Sequence, residues 1–99
     1  MRLRFQKRAF AQIDTVLSHI AAHSPQGAAQ VEARLRAVLQ QLQAHPFPGR
    51  RIPIAGVRRA FLTRYPYHID YFVGDEEIVI QRFRHAARKP LSQGVSGEG

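Results

Sequence analysis

The sequence of 99 residues contains no cysteine, few acidic residues and no long apolar run. Without cysteine the chain forms neither disulfide bonds nor thiolate metal sites, and this composition suits a reducing compartment. No stretch approaches the roughly 20 apolar residues that a membrane-spanning helix needs. Residues 1–5 are polar and lack the apolar core of a signal peptide. We therefore expect a soluble, cytoplasmic protein with no membrane partner.

Basic residues dominate the charge. The sequence has 15 Lys and Arg against 7 Asp and Glu, which gives a formal net charge of +8 at pH 7. A balance of this kind favours an anionic partner, either nucleic acid or an acidic protein. The length and the hydrophobic fraction of 44% suit one globular domain with one core.

Hydrophobic periodicity predicts a short strand and then two helices. Residues 2–5 alternate as a half-buried strand requires. The first helix should end near His23, because Ser24 and Pro25 then form a helix-start signal with Ser as N-cap and Pro at the first helical position. The second helix should run to about Ala44. The predicted apolar stripes comprise Phe10, Ile13, Val16, Leu17, Ile20 and Ala21 in the first helix, and Ala28, Val31, Leu35, Val38, Leu39 and Leu42 in the second.

The second half of the chain predicts a loop followed by three strands. Prolines between Pro46 and Pro53 break the helical pattern, and the loop of about ten residues contains Arg50 and Arg51, which makes it a candidate functional loop. Alternation then predicts three strands, over roughly 57–64, 67–73 and 77–84. In the middle strand Tyr67, Ile69, Tyr71 and Val73 should share one face, and His68, Asp70 and Phe72 the other.

Together these elements predict an α+β fold. An N-terminal strand and an antiparallel helical hairpin should pack on a small antiparallel sheet that ends in a three-strand meander. The domain should span residues 1–90, and the Gly/Ser-rich tail 91–99 should be disordered. Of the side chains that could stack on bases, Tyr67, Ile69, Tyr71 and Phe83 should lie in the core, with Phe72 as the exception.

The sequence predicts no cofactor and no metal site. Neither of the glycine patterns that cradle phosphate, GxxxxGK[ST] and GxGxxG, is present, and the serines form no candidate triad. His19 and His23 are spaced i, i+4 on the first helix, a spacing that can hold a metal. No carboxylate follows at a supporting distance, so we interpret both as solvated helix residues.

A cluster of basic residues accompanies the strands. A guanidinium group can hold a phosphate through two parallel hydrogen bonds, and can therefore bind RNA or stabilise the charge that develops in RNA cleavage. His85 could then act as the general acid. The alternative for any single arginine is an ion pair with Asp70, Asp75, Glu76 or Glu77. For the cluster as a whole we favour a macromolecular partner. Its members are Arg58, Arg59, Arg64, Arg82, Arg84, His85, Arg88 and Lys89.

The element order and several short motifs resemble the ParE/RelE toxin superfamily of bacterial type II toxin–antitoxin systems. The segment SPQGAA at 24–29 is similar to the family's NPxAA helix start. The segment YPYHIDY at 65–71 is similar to YPYxIxY, and HAAR at 85–88 is similar to the HxxR ending of the ParE branch. PGR at 48–50 and GVR at 56–58 occur in the family's order. The resemblance covers about residues 2–90.

This resemblance implies one of two functions, and a third interpretation is a degenerate toxin that retains only antitoxin binding. The RelE branch cleaves mRNA on the ribosome, whereas the ParE branch is associated with inhibition of DNA gyrase and is not known for hydrolytic chemistry. RNase-competent relatives often carry a tyrosine near the end of the last strand, but here His85 is followed by Ala86 and Ala87. No glutamate lies between Ala33 and Asp75 to serve as a base. Both departures favour a ParE-like toxin that is not an enzyme.

A ParE-like toxin implies two protein partners, DNA gyrase as the target and a cognate acidic antitoxin. The expected target-binding residues are Arg58, Arg59, Arg82, Arg84, His85 and Arg88. The antitoxin would lie in an apolar groove bordered by Leu17, Ile20, Val31 and Leu35, unless all four belong to the core. The alternative is a ribosome-dependent mRNA endoribonuclease, in which Arg58, Arg64 and Arg82 bind phosphate and His85 is the general acid.

Overall fold

The computed structural model describes residues 1–47 and 49–86, which form two helices and a five-stranded sheet. The predicted tail 91–99 and the predicted site residue Arg88 lie outside the described residues. Within the described chain, neither helix is long and apolar enough to cross a membrane. In chain order the elements are β1 Arg2–Phe5, α1 Lys7–His23, α2 Pro25–Ala44, β2 Arg50–Arg51, β3 Val57–Phe61, β4 Tyr67–Val73 and β5 Glu77–His85.

The predicted joint between the two helices is confirmed. The Ser24 side chain accepts a hydrogen bond from the Gly27 amide at 2.9 Å, and the Ser24 amide donates to the Ile20 carbonyl at 2.7 Å. Ser24 therefore caps the end of α1 and the start of α2. Pro25 occupies the first turn of α2, where its missing N–H costs no helical hydrogen bond. The two helices pack against each other as the predicted hairpin.

The sheet has the strand order β1-β5-β4-β3-β2. Strands β3, β4 and β5 form the predicted antiparallel meander. Two features differ from the expected small antiparallel sheet. Strand β1 pairs in parallel with β5, so the sheet is mixed. The predicted loop contains β2, which pairs Arg50 and Arg51 with Arg59 and Arg58 and which is too short to give a periodic signal.

The helices cover one face of the sheet, which we call the covered face; the opposite face is the open face. Strand register puts Ile69 and Tyr71 of β4 on the covered face together with Ile80 and Phe83 of β5. All of these side chains are buried, and they share one cluster with five residues of the predicted α2 stripe, namely Val31, Leu35, Val38, Leu39 and Leu42. Phe72 lies on the open face and is 39% exposed, so its prediction as the exception among the aromatic residues is confirmed.

A register shift in β5 decides which side chains reach the open face. Asp70 pairs with Arg82 but Tyr71 pairs with Ile80, so Gln81 has no partner on β4 and acts as a one-residue bulge. Strict alternation would place Arg82 on the same face as Ile80, beneath the helices. The bulge instead puts Ile80 and Phe83 on the covered face and Arg82 on the open face, which avoids burying a guanidinium in the core.

Two sequence predictions about element details were wrong. Phe10 is 66% exposed, because the line of α1 that contacts the sheet runs through the smaller Ala9, and the Phe10 ring packs only on the edge of Phe5 at 6.4 Å. Strand β3 ends at Phe61 and not near Arg64. There the Tyr65 amide donates to the Leu62 carbonyl at 2.8 Å in a tight turn, and Arg64 adopts a positive φ of 82°, which no strand accommodates.

Candidate binding surface

The open face of the sheet gathers most of the charged residues of the strands. Register places them opposite one another across all five strands, so they form one continuous surface. Its charged and aromatic members are Arg2, Arg4, Arg50, Arg59, Phe61, His68, Asp70, Phe72, Glu77, Arg82 and Arg84. The centre of this surface, which we call the open-face cluster, consists of Arg59, His68, Asp70, Arg82 and Arg84.

A buried ion pair anchors the open-face cluster. Asp70 has no solvent exposure, and Arg59 opposite it on β3 donates two hydrogen bonds to its carboxylate, at 2.7 Å and 3.2 Å. The Arg59 side chain is 19% exposed. This bidentate geometry is the strongest that an arginine makes with a carboxylate. For each strand arginine the alternative interpretation is an ion pair with an acidic residue. Arg59 forms such a pair, with Asp70.

His68 lies beside this ion pair as a buried, neutral imidazole. It is 4% exposed, and neither ring nitrogen has a hydrogen-bond partner within the described residues. Its Nε2 atom is 3.9 Å from the nearer Asp70 oxygen, which is too long for a hydrogen bond. Burial, followed by the positive charge of Arg59, lowers the pKa of His68 from 6.5 to about 4. The ring is therefore uncharged at neutral pH.

Arg82 is, after His68, the second member of the cluster with unused hydrogen-bonding capacity. It pairs across the strands with Asp70 and is half-buried, yet its buried Nη1 atom has no partner among residues 1–47 and 49–86. Burial, and after it the nearby charge of Arg8, lowers the pKa of Arg82, and Asp70 acts in the opposite direction. A guanidinium shielded from water and surrounded by like charges is poorly stabilised within the chain itself.

The last two residues of β5, Arg84 and His85, lie on opposite faces. Arg84 is 7% exposed and pairs with His68 on the open face. His85 pairs with Tyr67 on the covered face, and its ring meets the Tyr67 ring edge-on at 5.5 Å. His85 lines a cleft of about 240 Å³ with Gln12 and Thr15 of α1. The end of β5 therefore presents its histidine towards the helix and not towards the open-face arginines.

Arg58 holds the loop that precedes β2. Its guanidinium donates to the carbonyl oxygens of Phe47 and Gly49 at 3.1 Å and 2.9 Å, and lies 5.2 Å from the centre of the Phe47 ring. The buried Tyr71 hydroxyl donates to the Pro46 carbonyl at 2.9 Å and accepts from the Gly49 amide at 3.0 Å. Because Arg58 is committed to these contacts, its first role in the structure is to position the loop.

The four residues expected to cleave RNA do not share one face of the sheet. Arg82 is on the open face, whereas Arg58 and His85 are on the covered face, as their partners Tyr71 and Tyr67 show. Arg64 lies in the turn between β3 and β4 and is exposed. Strand register thus puts Arg82, one of the predicted phosphate-binding residues, on the opposite face of the sheet from the predicted general acid.

The residues predicted to border an antitoxin groove divide into two pairs. Val31 and Leu35 of α2 are 4% and 5% exposed and belong to the core cluster. Leu17 and Ile20 of α1 are only partly buried and pack against that cluster from outside. The structure therefore leaves the α1 pair as the part of this set that a partner can reach.

Histidines on α1 lie close together but are not joined by a third ligand. The rings of His19 and His23 are 5.4 Å apart, and both residues are exposed. In the part of the chain that the structure describes, no three His, Cys, Asp or Glu residues are grouped so as to hold a metal ion.

The sequence prediction missed His68 and the central role of Asp70. A signal was present, because two polar residues at alternate positions of an otherwise apolar strand must face the same way. Arginines on both neighbouring strands were also visible in the sequence. What the sequence does not reveal is the bulge at Gln81, and without it Arg82 cannot be placed opposite Asp70.

Comparisons with known proteins agree with this architecture. Residues 3–90 match the family of ParE toxins of type II toxin–antitoxin systems, parDE. The chain is 35% identical to the toxin RelE2 of Caulobacter vibrioides over 81 residues, which covers 82% of this chain and 90% of that protein. Its fold is similar to a solved structure of a chromosomal ParDE system from P. aeruginosa, with a TM-score of 0.75 and 27% identity over 86% of this chain and 95% of the other.

A second solved structure shares the fold at low sequence identity. The YoeB/ParE toxin from Agrobacterium tumefaciens gives a TM-score of 0.63 at 13% identity, over 86% of this chain and 98% of that one. The family match spans nearly all of the described residues, and apart from β2 the element order is the one that the sequence predicted. The chain therefore belongs to the ParE/RelE superfamily and is a toxin of a type II toxin–antitoxin system.

Proposed function

We propose that this toxin arrests growth by binding DNA gyrase and that it does not cleave RNA. The observation that carries the proposal is the dispersal of the groups that cleavage would require. A general acid must lie within hydrogen-bond reach of the reacting atoms, together with the cations that stabilise the developing charge. Here His85 is on the covered face beside α1, and Arg82 is on the open face.

The one histidine on the open face is poorly suited to acid catalysis. His68 is buried, and its pKa is lowered to about 4, chiefly by burial. A general acid works best with a pKa near the operating pH, and a ring that is neutral at pH 7 lacks the imidazolium form that would deliver a proton. This argument favours a toxin that acts by occupying a surface of its target, and it supports the ParE-like interpretation of the sequence. The target places the toxin in the cytoplasm.

We propose that the cognate antitoxin is acidic and contacts the exposed side of the helical hairpin. The formal charge of +8 is complementary to such a partner. Leu17 and Ile20 offer partly buried apolar surface next to a core that is already packed, whereas Val31 and Leu35 support that surface from beneath. An amphipathic helix of the antitoxin would place its apolar side chains against this pair.

Expression in bacteria tests the mode of action. We expect growth arrest with an induced DNA-damage response, while primer extension shows intact mRNA. An active-site function on RNA would instead give cleavages in phase with the codons. Co-expression of the antitoxin should restore growth in the first case, and a Leu17→Asp variant should escape that rescue.

The alternative function is ribosome-dependent cleavage of mRNA. The 35% identity to a protein named Toxin RelE2 favours it, as does the unpartnered Nη1 atom of Arg82 on an open basic face. In that case Arg58, Arg64 and Arg82 would bind phosphate, and His85 would have to turn out of its cleft to act as the acid. Codon-phased cleavages that disappear in a His85→Gln variant would establish this function in place of gyrase binding.

A further inference from the structure

The open-face cluster contains more positive charge than its own residues neutralise. Arg59 and Arg82 bring two guanidinium groups to one carboxylate, that of Asp70. Asp70 is already engaged by two hydrogen bonds from Arg59. These three residues therefore keep an excess of about one positive charge at the centre of the sheet.

Two buried groups at this place also have unused hydrogen-bonding capacity. The Nη1 atom of Arg82 is shielded from solvent without a partner, and so are both ring nitrogens of His68, within residues 1–47 and 49–86. Leaving buried polar atoms unpaired costs free energy, and native structures contain few such atoms. Unpaired donors beside excess positive charge are typical of a binding site for an oxyanion. Here another molecule would supply the oxyanion.

The surroundings favour a carboxylate of a protein over a nucleic-acid backbone. A backbone is followed by a track of exposed cations, but on this face Arg4 is paired with Glu77 and Arg59 with Asp70. Arg2 and Arg50 are exposed on the two edge strands, and at the centre of the face Arg82 keeps a buried nitrogen atom without a partner within the described residues. Phe61 and Phe72, which are 45% and 39% exposed, lie on the same face. An arginine that shares a face with exposed aromatic rings is typical of the energetic centre of a protein–protein interface.

We propose that the open-face cluster is a receptor for one Asp or Glu side chain of an acidic protein partner, with Arg82 as the residue that holds it. Residues of the partner on either side of that carboxylate would rest on Phe61 and Phe72. The inference rests on the toxin acting through protein binding, as proposed above. It adds the chemical class of the partner's anchoring group and the residue that receives it.

A synthetic octapeptide in which glutamate alternates with leucine provides the probe, and the same peptide with glutamine in place of glutamate provides its control. Isothermal titration compares the wild type with Arg82→Gln, Arg82→Lys and Arg2→Gln. Arg2 is exposed on the same face, so Arg2→Gln removes the same charge without touching the cluster. Thermal denaturation of each variant verifies that it is folded.

We expect Arg82→Gln to weaken binding of the glutamate peptide by about tenfold or more, which is the usual effect of losing a hydrogen bond between charged groups. Arg82→Lys should keep part of the affinity, because the charge remains but the planar fork is lost. Arg2→Gln should change the affinity by less than about twofold, as expected of an exposed charge. The glutamine peptide should bind no better to the wild type than to Arg82→Gln.

An NMR titration measures the pKa of the His68 ring with and without the peptide. If Arg82 had only a structural role, peptide binding would leave this pKa unchanged. The groups that act on His68 are Arg59, Asp70, Arg84 and His85. A second carboxylate beside them should raise the pKa of His68 when the glutamate peptide is bound, because a nearby negative charge favours the imidazolium.

Three results would overturn the proposal. The first is equal weakening by Arg82→Gln and Arg2→Gln, which would mean general charge attraction. The second is an unchanged pKa of His68 in the peptide-bound state. The third is a single-stranded oligonucleotide that binds more tightly than the peptide and depends on Arg82, which would assign the face to nucleic acid. Neither gyrase nor the ribosome is present in this titration. A negative gyrase assay therefore does not change the conclusion from the titration, and a negative titration does not change the conclusion from the gyrase assay.

Discussion

Replacing Asp70 by asparagine removes the only carboxylate of the open-face cluster and should destabilise the fold strongly. Asp70 is fully buried, and Arg59 donates to it at 2.7 Å and 3.2 Å. Removing one partner of a buried ion pair typically costs about 3–5 kcal/mol, because the other charge stays buried without compensation. Since Arg59 is 19% exposed, water relieves part of this cost. We therefore expect a loss of about 3 kcal/mol in the free energy of unfolding.

Urea denaturation followed by circular dichroism measures this loss. A domain of this length has a free energy of unfolding of about 5–15 kcal/mol, so the shift in the midpoint should be large. The matched control is Glu32→Gln, which breaks the exposed pair of Glu32 with Arg36, 2.8 Å long and one helical turn apart. That change should cost less than about 0.5 kcal/mol.

The double variant Arg59→Gln with Asp70→Asn isolates the pair. If the cost of Asp70→Asn comes from the uncompensated Arg59 charge, removing that charge as well should recover a substantial part of the lost free energy. A loss below about 1 kcal/mol for Asp70→Asn, or strictly additive costs in the double variant, would refute the claim that this ion pair anchors the cluster.

Three further predictions concern pH, the core and the loop. The His68 ring gains a proton near pH 6.5 in the unfolded chain but only near pH 4 in the folded one. The free energy of unfolding should therefore fall by up to about 3 kcal/mol as the pH drops through this window. Urea midpoints measured across the window should show this fall in the wild type and not in His68→Gln. Leu35→Asp should unfold the chain, because it places a charge in the core, whereas Leu17→Asp should stay folded by circular dichroism and lose only antitoxin binding. Gly49→Ala should cost about 2 kcal/mol in thermal denaturation, since the added methyl group would overlap the Tyr71 hydroxyl.

The helices and the core could be predicted from the sequence because local signals and tertiary packing agree there. Ser24 and Pro25 mark a helix start by their own chemistry, and the stripe of α2 has the period of a helix. Phe10 shows the limit of such patterns. Its spacing fits the apolar stripe of α1, but this stripe is wider than the part of the helix that contacts the sheet. Which side of the stripe contacts the sheet depends on the close approach of the helix at Ala9.

The site was less predictable because it depends on one backbone irregularity. Whether Arg82 faces the helices or the open side changes with a shift of one residue, and the bulge at Gln81 supplies that shift. No single residue in the sequence marks a bulge there. The pairing of Asp70 with Arg59 also depends on register between strands, as does the separation of His85 from Arg82.

The supercoiling activity of purified DNA gyrase, measured with and without the purified toxin, tests the central claim most directly. The account predicts inhibition with accumulation of cleaved DNA complexes, and relief of both effects when the antitoxin is added. Unchanged supercoiling at toxin concentrations that arrest growth, together with codon-phased cuts in mRNA, would contradict it.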